Sequence, residues 1–286
     1  MMSWQNTQII MTRFLFLGIL TLFWNINSKA QDDFGSLTIK VYESDNEKRL
    51  FQQHDDEHFF LLQSLHPNLE EGIKNWNKLV KRLDKKASKK RGEVRFLSDI
   101  FYISHQSLLN QYETHANFSN TLAEGIYDCV TGTGLYALLL DRYGIPYYIV
   151  ETDAHVYLKG NFNGVDFVME STFPLNGLVI GAKEVADFDQ QFFQGPPSME
   201  GFKVPSVLGG MFPSVKHTQV LNRIDIKELA GLQYYNDAIL KFNQKAYQEA
   251  YAQLVKAAYL YPSPRINHLK EKMETLLEIL VFEDLP

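Results

Sequence analysis

The sequence contains very little cysteine and no excess of basic residues. Cys129 is the only cysteine among 286 residues, so no disulfide can form within the chain. The formal net charge is −6 at pH 7. General binding of nucleic acid requires a strong basic excess, and the charge argues against that class of function. We therefore predict no nucleic-acid partner.

Long apolar runs are also missing. The run at residues 14–24 has 11 residues, whereas a helix needs about 20 to cross a bilayer. Arg13 precedes this run, and the small-x-small pattern SKA follows it at residues 28–30, as in a secretory signal peptide. We predict a signal peptide over residues 1–30 and a secreted or periplasmic protein. The alternative is a membrane anchor formed by an uncleaved signal.

Composition and pattern divide the rest of the chain into three segments. Apolar residues make up 45% and aromatic residues 13% of the sequence, which is sufficient for a packed core. The length suits one medium domain and a smaller one. We predict an N-terminal extension with a basic helix at residues 31–95, a core domain at 96–215 and a helical segment at 226–286.

The N-terminal extension contains a basic amphipathic helix. Ile73, Trp76, Val80 and Leu83 recur at helical spacing and form an apolar stripe. The other faces are rich in lysine and arginine. These basic residues are Lys74, Lys78, Lys81, Arg82, Lys85 and Lys86, continuing to Lys89, Lys90 and Arg91. We expect a solvated face, with contact to an anionic surface or polymer as the alternative.

The densest pattern surrounds Cys129, in YDCVTGTGLYALLL at residues 127–140. A helix is predicted from about Cys129 to Tyr143, where Gly144 ends it. Asp128 is expected near the N-cap. Unpaired backbone N–H groups at a helix N-terminus favour a thiolate. A free thiol is also a liability in an oxidising compartment, so its presence favours a functional role.

Three strand-like runs follow this helix. They lie at residues 147–151, 155–159 and 165–170. Asn163-Gly164, between the last two runs, is the strongest short-range pattern for a β-hairpin. With a two-residue turn at this position, Phe162 opposes Val165 and the register of the whole hairpin follows. A one-residue bulge in the loop would change that register.

The predicted register brings a histidine and a carboxylate together. His155 opposes Thr172, so Glu170 is its diagonal neighbour on the same sheet face, roughly 7–8 Å away between backbones. We expect the helix that carries Cys129 to pack against this face. A nucleophilic thiol needs a base within hydrogen-bond reach and a group that orients the base. Cys129, His155 and Glu170 are the candidates for these three roles.

This arrangement resembles the transglutaminase-like family of papain-type cysteine enzymes. In that family a cysteine begins a helix, a histidine begins the next strand after the helix–strand unit, and an acid lies on the following strand. The matching residues are Cys129 in YDCVTGTGLYALLLDRYGIPYYIV, His155 in ETDAHVYL and Glu170 in DFVMESTFP. The resemblance covers about residues 96–180. The sequence departs from it in having glutamate where aspartate is usual, and in lacking a tryptophan shortly before the acid.

The resemblance implies an α+β fold with a papain/transglutaminase-like core, in which the cysteine helix packs on an antiparallel sheet. It implies that the Cys129 thiolate attacks an amide carbonyl of a peptide or protein substrate. His155 would transfer protons, Glu170 would orient its ring, and the Cys129 backbone N–H would be one oxyanion donor. The acyl group would pass to water, as in a peptidase or amidase, or to an amine. We predict no cofactor and no metal ion.

Two other interpretations stay open on the sequence. A core that keeps the fold without activity would serve as a binding or scaffold protein. In addition, Gly132, Gly134 and Ala137 fit the dinucleotide pattern G-x-G-x-x-A, and Glu151 follows Gly132 by 19 residues, as a ribose-binding acid would. Asp128 weakens this second interpretation, because a buried parallel strand before the glycines should be apolar. Close packing of the helix is the simpler explanation of the glycines.

The C-terminal segment resembles a tetratricopeptide repeat unit, with one helix, a turn and a second helix. The large, small and terminal positions of the repeat are matched by Tyr234, Ala238, Tyr247, Ala250, Leu254, Ala257 and Pro262. Asp237 and Lys241 stand where the repeat usually has an apolar and an aromatic residue. One unit cannot bury its own apolar face, so we expect it to dock on the core, with a last helix at about 266–282 as a cap. Contact with another protein through this hairpin is the alternative.

Overall fold

The computed structural model describes residues 39–53, 57–89, 92–152, 155–193 and 222–283. The predicted signal peptide at residues 1–30 therefore lies outside the described residues. Within these ranges, no helix combines the length and the apolar character that a membrane crossing requires.

Four helices come first along the described chain. They are α1 (Asp45–Gln53), α2 (His58–Leu62), α3 (Leu69–Ala87) and α4 (Glu93–Leu108). The predicted basic helix is α3, and it buries Leu79, Val80 and Leu83 on one side. This apolar side packs against α4 and against the next helix, α5 (Phe118–Glu124). The lysines consequently remain on the outer surface of the helical layer.

A short parallel pair of strands holds the segment before the cysteine helix in place. These are β1 (Gln111–Tyr112) and β2 (Ile126–Tyr127), which flank α5. The chain then enters α6 (Cys129–Arg142), the predicted cysteine helix. Gly144, with φ +63°, adopts the left-handed conformation that ends a helix. The start and the end of this helix confirm the sequence prediction.

A five-stranded antiparallel sheet forms the centre of the molecule. Its strands are β3 (Tyr147–Glu151), β4 (Val156–Phe162), β5 (Val165–Met169), β6 (Leu178–Ile180) and β7 (Asn222–Ile224), in the spatial order β6-β5-β4-β3-β7. Phe162 opposes Val165 and Leu158 opposes Met169, so the predicted hairpin register is confirmed. Asn163 and Gly164 both have positive φ, as the tight hairpin turn requires.

The two faces of the sheet are covered by different helices. Ile149, Leu158 and Phe167 belong to the main core cluster together with the apolar side chains of α6. On the opposite face, Tyr157 and Val168 pack with α7 (Ala182–Phe193). Glycine- and proline-containing stretches within residues 181–225 predict a loop-rich segment, and the helix at its start departs from that prediction. The fold is therefore mixed, with helices on both faces of an antiparallel sheet, as expected of the α+β class.

The C-terminal segment forms three helices, as predicted. They are α8 (Ile226–Asn243), α9 (Tyr247–Leu260) and α10 (Pro264–Glu283). Leu229, Ala257 and Ile266 lie in the same hydrophobic cluster as Leu83 of α3 and Leu139 of α6. The helical hairpin therefore docks on the core, and the N-terminal extension, the core and the C-terminal segment share one main cluster.

Docking also explains the departures from the repeat pattern. Asp237 Oδ1 lies 3.3 Å from His66 Nε2, and Lys241 Nζ lies 2.8 Å from Glu43 Oε1. Both partners belong to the N-terminal part of the chain. Polar residues stand at these two repeat positions because they bind the N-terminal part instead of filling the interior of a helical array.

Candidate functional site

Cys129 is the first residue of α6, directly after a fully formed N-cap. Asp128 Oδ1 accepts a hydrogen bond from the Thr131 N–H at 2.8 Å, and Thr131 Oγ1 accepts one from the Asp128 N–H at 3.0 Å. This reciprocal pair fixes the start of the helix. The side chain of Cys129 consequently sits at the positive end of the helix dipole, where an anion is stabilised.

Two contacts hold the first turn of α6 against the strands. The Thr133 hydroxyl donates to the carbonyl oxygen of Val156 at 3.2 Å. Gly132 packs against Ser171 so tightly that a Cβ atom on the glycine would lie 2.5 Å from the Ser171 Cβ. Val156 directly follows His155, and Ser171 directly follows Glu170. The helix is therefore anchored one residue away from each of the other two candidate site residues.

Glu170 is fully buried and has a fixed orientation. Its Oε1 accepts hydrogen bonds from both the backbone N–H and the hydroxyl of Thr172, each at 2.7 Å. Its Oε2 contacts Nε2 of His155. Since one carboxylate oxygen is held by Thr172, the other is aimed at the imidazole. Thr172 thus positions the Glu170 carboxylate. In the sequence, the only indication of this role is that Thr172 lies two residues after Glu170.

His155 joins the carboxylate to the thiol. Nε2 faces Glu170, and the ring also interacts with the Cys129 side chain as a hydrogen-bonding neighbour. Burial alone would lower the pKa of the imidazole, but the Glu170 carboxylate and the Cys129 side chain outweigh it, and the pKa lies well above its ordinary value. The imidazolium form is therefore favoured between the two groups.

The backbone around His155 is also held in place. The His155 N–H donates to Thr152 Oγ1 at 3.0 Å, and the Thr152 N–H donates to the His155 carbonyl oxygen at 2.8 Å. About 18% of the His155 side chain is exposed, and Cys129 is half-buried, whereas Glu170 is not exposed at all. A substrate could therefore reach the thiol and the imidazole from solvent while the acid stays behind them.

The three groups meet at the end of the strands, not on a sheet face. The β4–β5 pairing stops at Leu158 and Met169, and the Glu170 N–H donates to the carbonyl oxygen of Gly177. Tyr157 faces α7, whereas α6 covers the other side of the sheet. The expectation that the cysteine helix packs against the face bearing His155 was therefore wrong. The thiol approaches the imidazole from beyond the strand end.

A second carboxyl group and a tyrosine border the site. Burial raises the pKa of Asp128 to about 6, even though its hydrogen bonds with Thr131 favour the charged form. Burial also raises the pKa of Tyr112, and negative charge on the neighbouring Cys129 and Asp128 side chains raises it further. The Tyr112 hydroxyl consequently stays protonated beside the thiol. Spacing along the sequence gave no reason to place Tyr112 here.

The glycines of the dinucleotide pattern do not form a phosphate loop. Gly132 and Gly134 are buried inside α6, against Ser171 and Leu62 respectively. Glu151 ends β3, but its carboxylate contacts the Arg265 guanidinium and accepts a hydrogen bond from the Tyr261 hydroxyl. The sheet is also antiparallel within the described residues. These positions have structural roles, and the dinucleotide interpretation is wrong.

One cluster of metal-binding residue types lies outside the candidate site. Ligand atoms of Glu43, His66 and Asp237 lie within 4.8 Å of one another. Both ring nitrogens of His66 face carboxylates, and Lys241 supplies a second positive charge. The negative charges are therefore already matched by cationic side chains. We interpret the cluster as an ion-pair network between the N-terminal part and α8.

Comparisons with known proteins returned no match: no family model fits the chain, and neither the curated proteins nor the solved structures contain one that is significantly similar. The geometry of the residues themselves is therefore the basis of the functional argument.

Proposed function

We propose that the protein is a secreted transglutaminase-like cysteine enzyme that acts on amide bonds of a peptide or protein substrate. One observation carries the proposal: a single imidazole contacts both a thiol at a helix N-terminus and a buried carboxylate oriented by Thr172. A nucleophile, a base and a group that orients the base are the elements of a catalytic triad. The helix on an antiparallel sheet supports the finer assignment to a papain/transglutaminase-like core.

In the proposed reaction, the Cys129 proton moves to His155, and the thiolate attacks the carbonyl carbon of the amide. A carbon–sulfur bond forms, and the resulting oxyanion is stabilised by donors that include the Cys129 backbone N–H. The carbon–nitrogen bond then breaks as the His155 imidazolium donates its proton to the leaving amine. Water or a second amine attacks the thioester, loses a proton to His155 and releases the acyl product together with the thiolate.

The electrostatics of the site favour the first step. The Glu170 side chain is buried and contacts the ring, and a carboxylate in this position stabilises the imidazolium that forms when the thiol loses its proton. The helix N-terminus stabilises the thiolate on the other side. The ion pair between thiolate and imidazolium is therefore supported at both ends, which is the condition for a reactive thiol near neutral pH.

The test is the pH dependence of thiol alkylation with iodoacetamide, followed by mass spectrometry. Cys129 is the only thiol, so the signal needs no deconvolution. We expect the rate to reach its plateau well below pH 8.5, and His155→Ala to restore the profile of an ordinary thiol, whose pKa is about 8.5. Cys129→Ser sets the background. A wild-type profile equal to that of His155→Ala would instead favour the silent binding or scaffold protein.

Secretion is part of the same proposal and has its own test. Cleavage after residue 30 would make Gln31 the first residue of the mature chain. The intact mass of the exported protein should match that start. A mass that retains residues 1–30 in the membrane fraction would favour the uncleaved anchor, and it would leave the triad proposal untouched.

A further inference from the structure

An open groove of about 940 Å³ runs between α3 and α4 on the outer surface. Basic side chains dominate its lining. The five cations are Arg82, Lys85, Lys86, Lys89 and Arg95, against the carboxylates of Glu93 and Asp99. The protein as a whole carries a formal charge of −6, so this groove is a local reversal of the net charge. Such a concentration of one sign attracts anionic ligands.

Most of this positive charge has no carboxylate partner. Asp99 contacts Lys86 at 3.3 Å, so that pair is neutralised. Arg82 donates to neutral groups, the Ser107 hydroxyl at 2.6 Å and the Gln106 side chain at 3.3 Å. Lys85, Lys89 and Arg95 have no ion-pair partner among the described residues.

Exposed apolar side chains gather beside the same groove. Six large apolar residues are exposed in the described chain: two of them, Val94 and Tyr102, line this groove, and two more, Phe173 and Leu175, lie in the turn that contacts Tyr102. Val94 and Tyr102 line the groove, and the Tyr102 hydroxyl donates to the Leu175 carbonyl oxygen at 3.5 Å. Leu175 is 82% exposed, the largest value of the six. A cluster of this kind marks an interaction site.

We propose that this face binds the surface of a bilayer that contains anionic phospholipids. The lipid-binding face comprises the groove cations together with Val94, Tyr102, Phe173 and Leu175. Lysine and arginine side chains attract anionic headgroups, while aromatic and aliphatic side chains enter the interfacial region of the bilayer. A soluble polyanion would engage the cations only and would leave the four apolar side chains in water. The combination therefore favours a lipid surface.

The proposed contact also orients the candidate active site. Phe173 and Leu175 lie in the turn that begins at Glu170 and ends at Gly177, whose carbonyl oxygen accepts from the Glu170 N–H. Docking through this turn places the acid of the triad close to the membrane plane. A protein held in this way would meet substrates that are themselves attached to or lie near the membrane.

The test is vesicle cosedimentation of the full chain. One vesicle contains equal parts of phosphatidylglycerol and phosphatidylcholine, and the other contains phosphatidylcholine alone. Lys85→Glu combined with Lys89→Glu alters the groove. Lys78→Glu combined with Lys81→Glu is the matched control, because it makes the same charge change at exposed positions of α3 that lie outside the groove. Comparing the variants in the same chain removes any contribution from the apolar run at residues 14–24.

We expect binding to the anionic vesicles only, lowered roughly thirtyfold by the groove variant and changed less than about threefold by the control. Leu175→Ser should lower binding roughly tenfold. This residue is almost fully exposed, so the variant should fold even if the charge reversals do not. Higher salt should weaken the binding. Cys129 alkylation should not change in any of these variants.

Two results would overturn the proposal. Equal losses in the groove variant and the matched control would show that only the total charge matters. Tight binding of soluble hexametaphosphate to the groove, together with vesicle binding that Leu175→Ser leaves unchanged, would identify a site for soluble polyanions instead. Neither result bears on the triad, because thiol reactivity is measured separately.

Discussion

Gly132 of α6 and Ser171 of the turn after β5 approach so closely that the glycine position has no room for a side chain. A Cβ atom at Gly132 would lie 2.5 Å from both Cβ and Oγ of Ser171. Real Cβ atoms do not approach other heavy atoms so closely, and densely packed interiors do not absorb the overlap. This contact fixes the distance between the helix that carries Cys129 and the turn that carries Glu170.

Gly132→Ala should therefore separate the thiol from the imidazole. We expect the variant to lose about 1–3 kcal/mol of unfolding free energy from overpacking, despite the better helix propensity of alanine. Cys129 alkylation below pH 8 should slow at the same time. Urea denaturation and the alkylation rate measure the two effects.

The same helix offers a matched control and a rescue. Gly134→Ala would bring its Cβ only to 3.3 Å from a terminal methyl group of Leu62, so a displacement of a few tenths of an ångström is sufficient. That variant should be close to neutral or slightly stabilised. Combining Gly132→Ala with Ser171→Gly removes both close contacts and should recover most of the loss. No recovery in the double variant would show that Ser171 is not the obstacle.

Glu170→Gln tests the orientation of the imidazole. The amide oxygen can still accept from Thr172, so the amide NH₂ would face Nε2 of His155. A donor there favours the tautomer with the proton on Nδ1, which cannot accept the thiol proton. We expect the rate of alkylation at neutral pH to approach that of His155→Ala, and any amidase activity to fall by roughly three to four orders of magnitude. Glu124→Gln, at an exposed position, is the control. An unchanged alkylation profile would exclude Glu170 from the triad.

Local patterns predicted the elements of the site well. The Asn163-Gly164 turn fixed the hairpin register, because a two-residue turn leaves no freedom in pairing. Asp128 and Gly144 marked the ends of the cysteine helix for equally local reasons. The same register predicted that His155 and Glu170 lie close together, and their side chains are in contact, although at the strand end and not on a sheet face. These predictions depend on residues within a few positions of one another.

The incorrect predictions concern contacts between distant parts of the chain and the point at which the β4–β5 pairing ends. Pairing stops at Met169 because the chain turns so that Glu170 bonds to Gly177, and strand alternation no longer applies beyond that point. The approach of α6 depends on Gly132 meeting Ser171, which no spacing rule encodes. Asp237 likewise departs from the repeat pattern because its partner, His66, lies 171 residues earlier in the chain.

The His66 network should make stability depend on pH. Hydrogen bonds with Asp237 and Glu43 raise the pKa of His66 from 6.5 to about 9. The hydrogen bond between His66 and Glu43 in turn lowers the pKa of Glu43 from 4.5 to about 2. The contribution of protonated His66 to the free energy of unfolding is complete below about pH 6.5, and it is lost as the pH rises through 9. The Glu43 contribution is complete above about pH 4.5 and is lost as the pH falls through 2. Both are complete between these limits.

His66→Asn removes this dependence at the alkaline end. Asparagine tolerates the left-handed backbone at this position, where φ is +49°, so the substitution changes the charge without straining the turn. Urea denaturation at pH 6 and pH 10 should show a larger loss of unfolding free energy for the wild type than for His66→Asn. Equal losses would mean that His66 does not carry the predicted proton.

We expect the largest loss of unfolding free energy when the buried ion pair between Lys256 of α9 and Glu47 of α1 is broken. Their side chains are 1% and 2% exposed, and Lys256 Nζ also lies 4.9 Å from the centre of the Tyr234 ring. Lys256→Met leaves a carboxylate buried without its counter-ion, and we expect a loss of about 3–5 kcal/mol. Adding Glu47→Gln removes the uncompensated charge and keeps one acceptor oxygen for either the Tyr234 hydroxyl or the Glu43 N–H, so the double variant should recover part of that loss. Lys74→Met breaks the exposed pair with Glu71 and should have little effect. If Lys256→Met unfolds at the same urea concentration as the wild type, docking of the C-terminal helices depends on apolar packing and not on this ion pair.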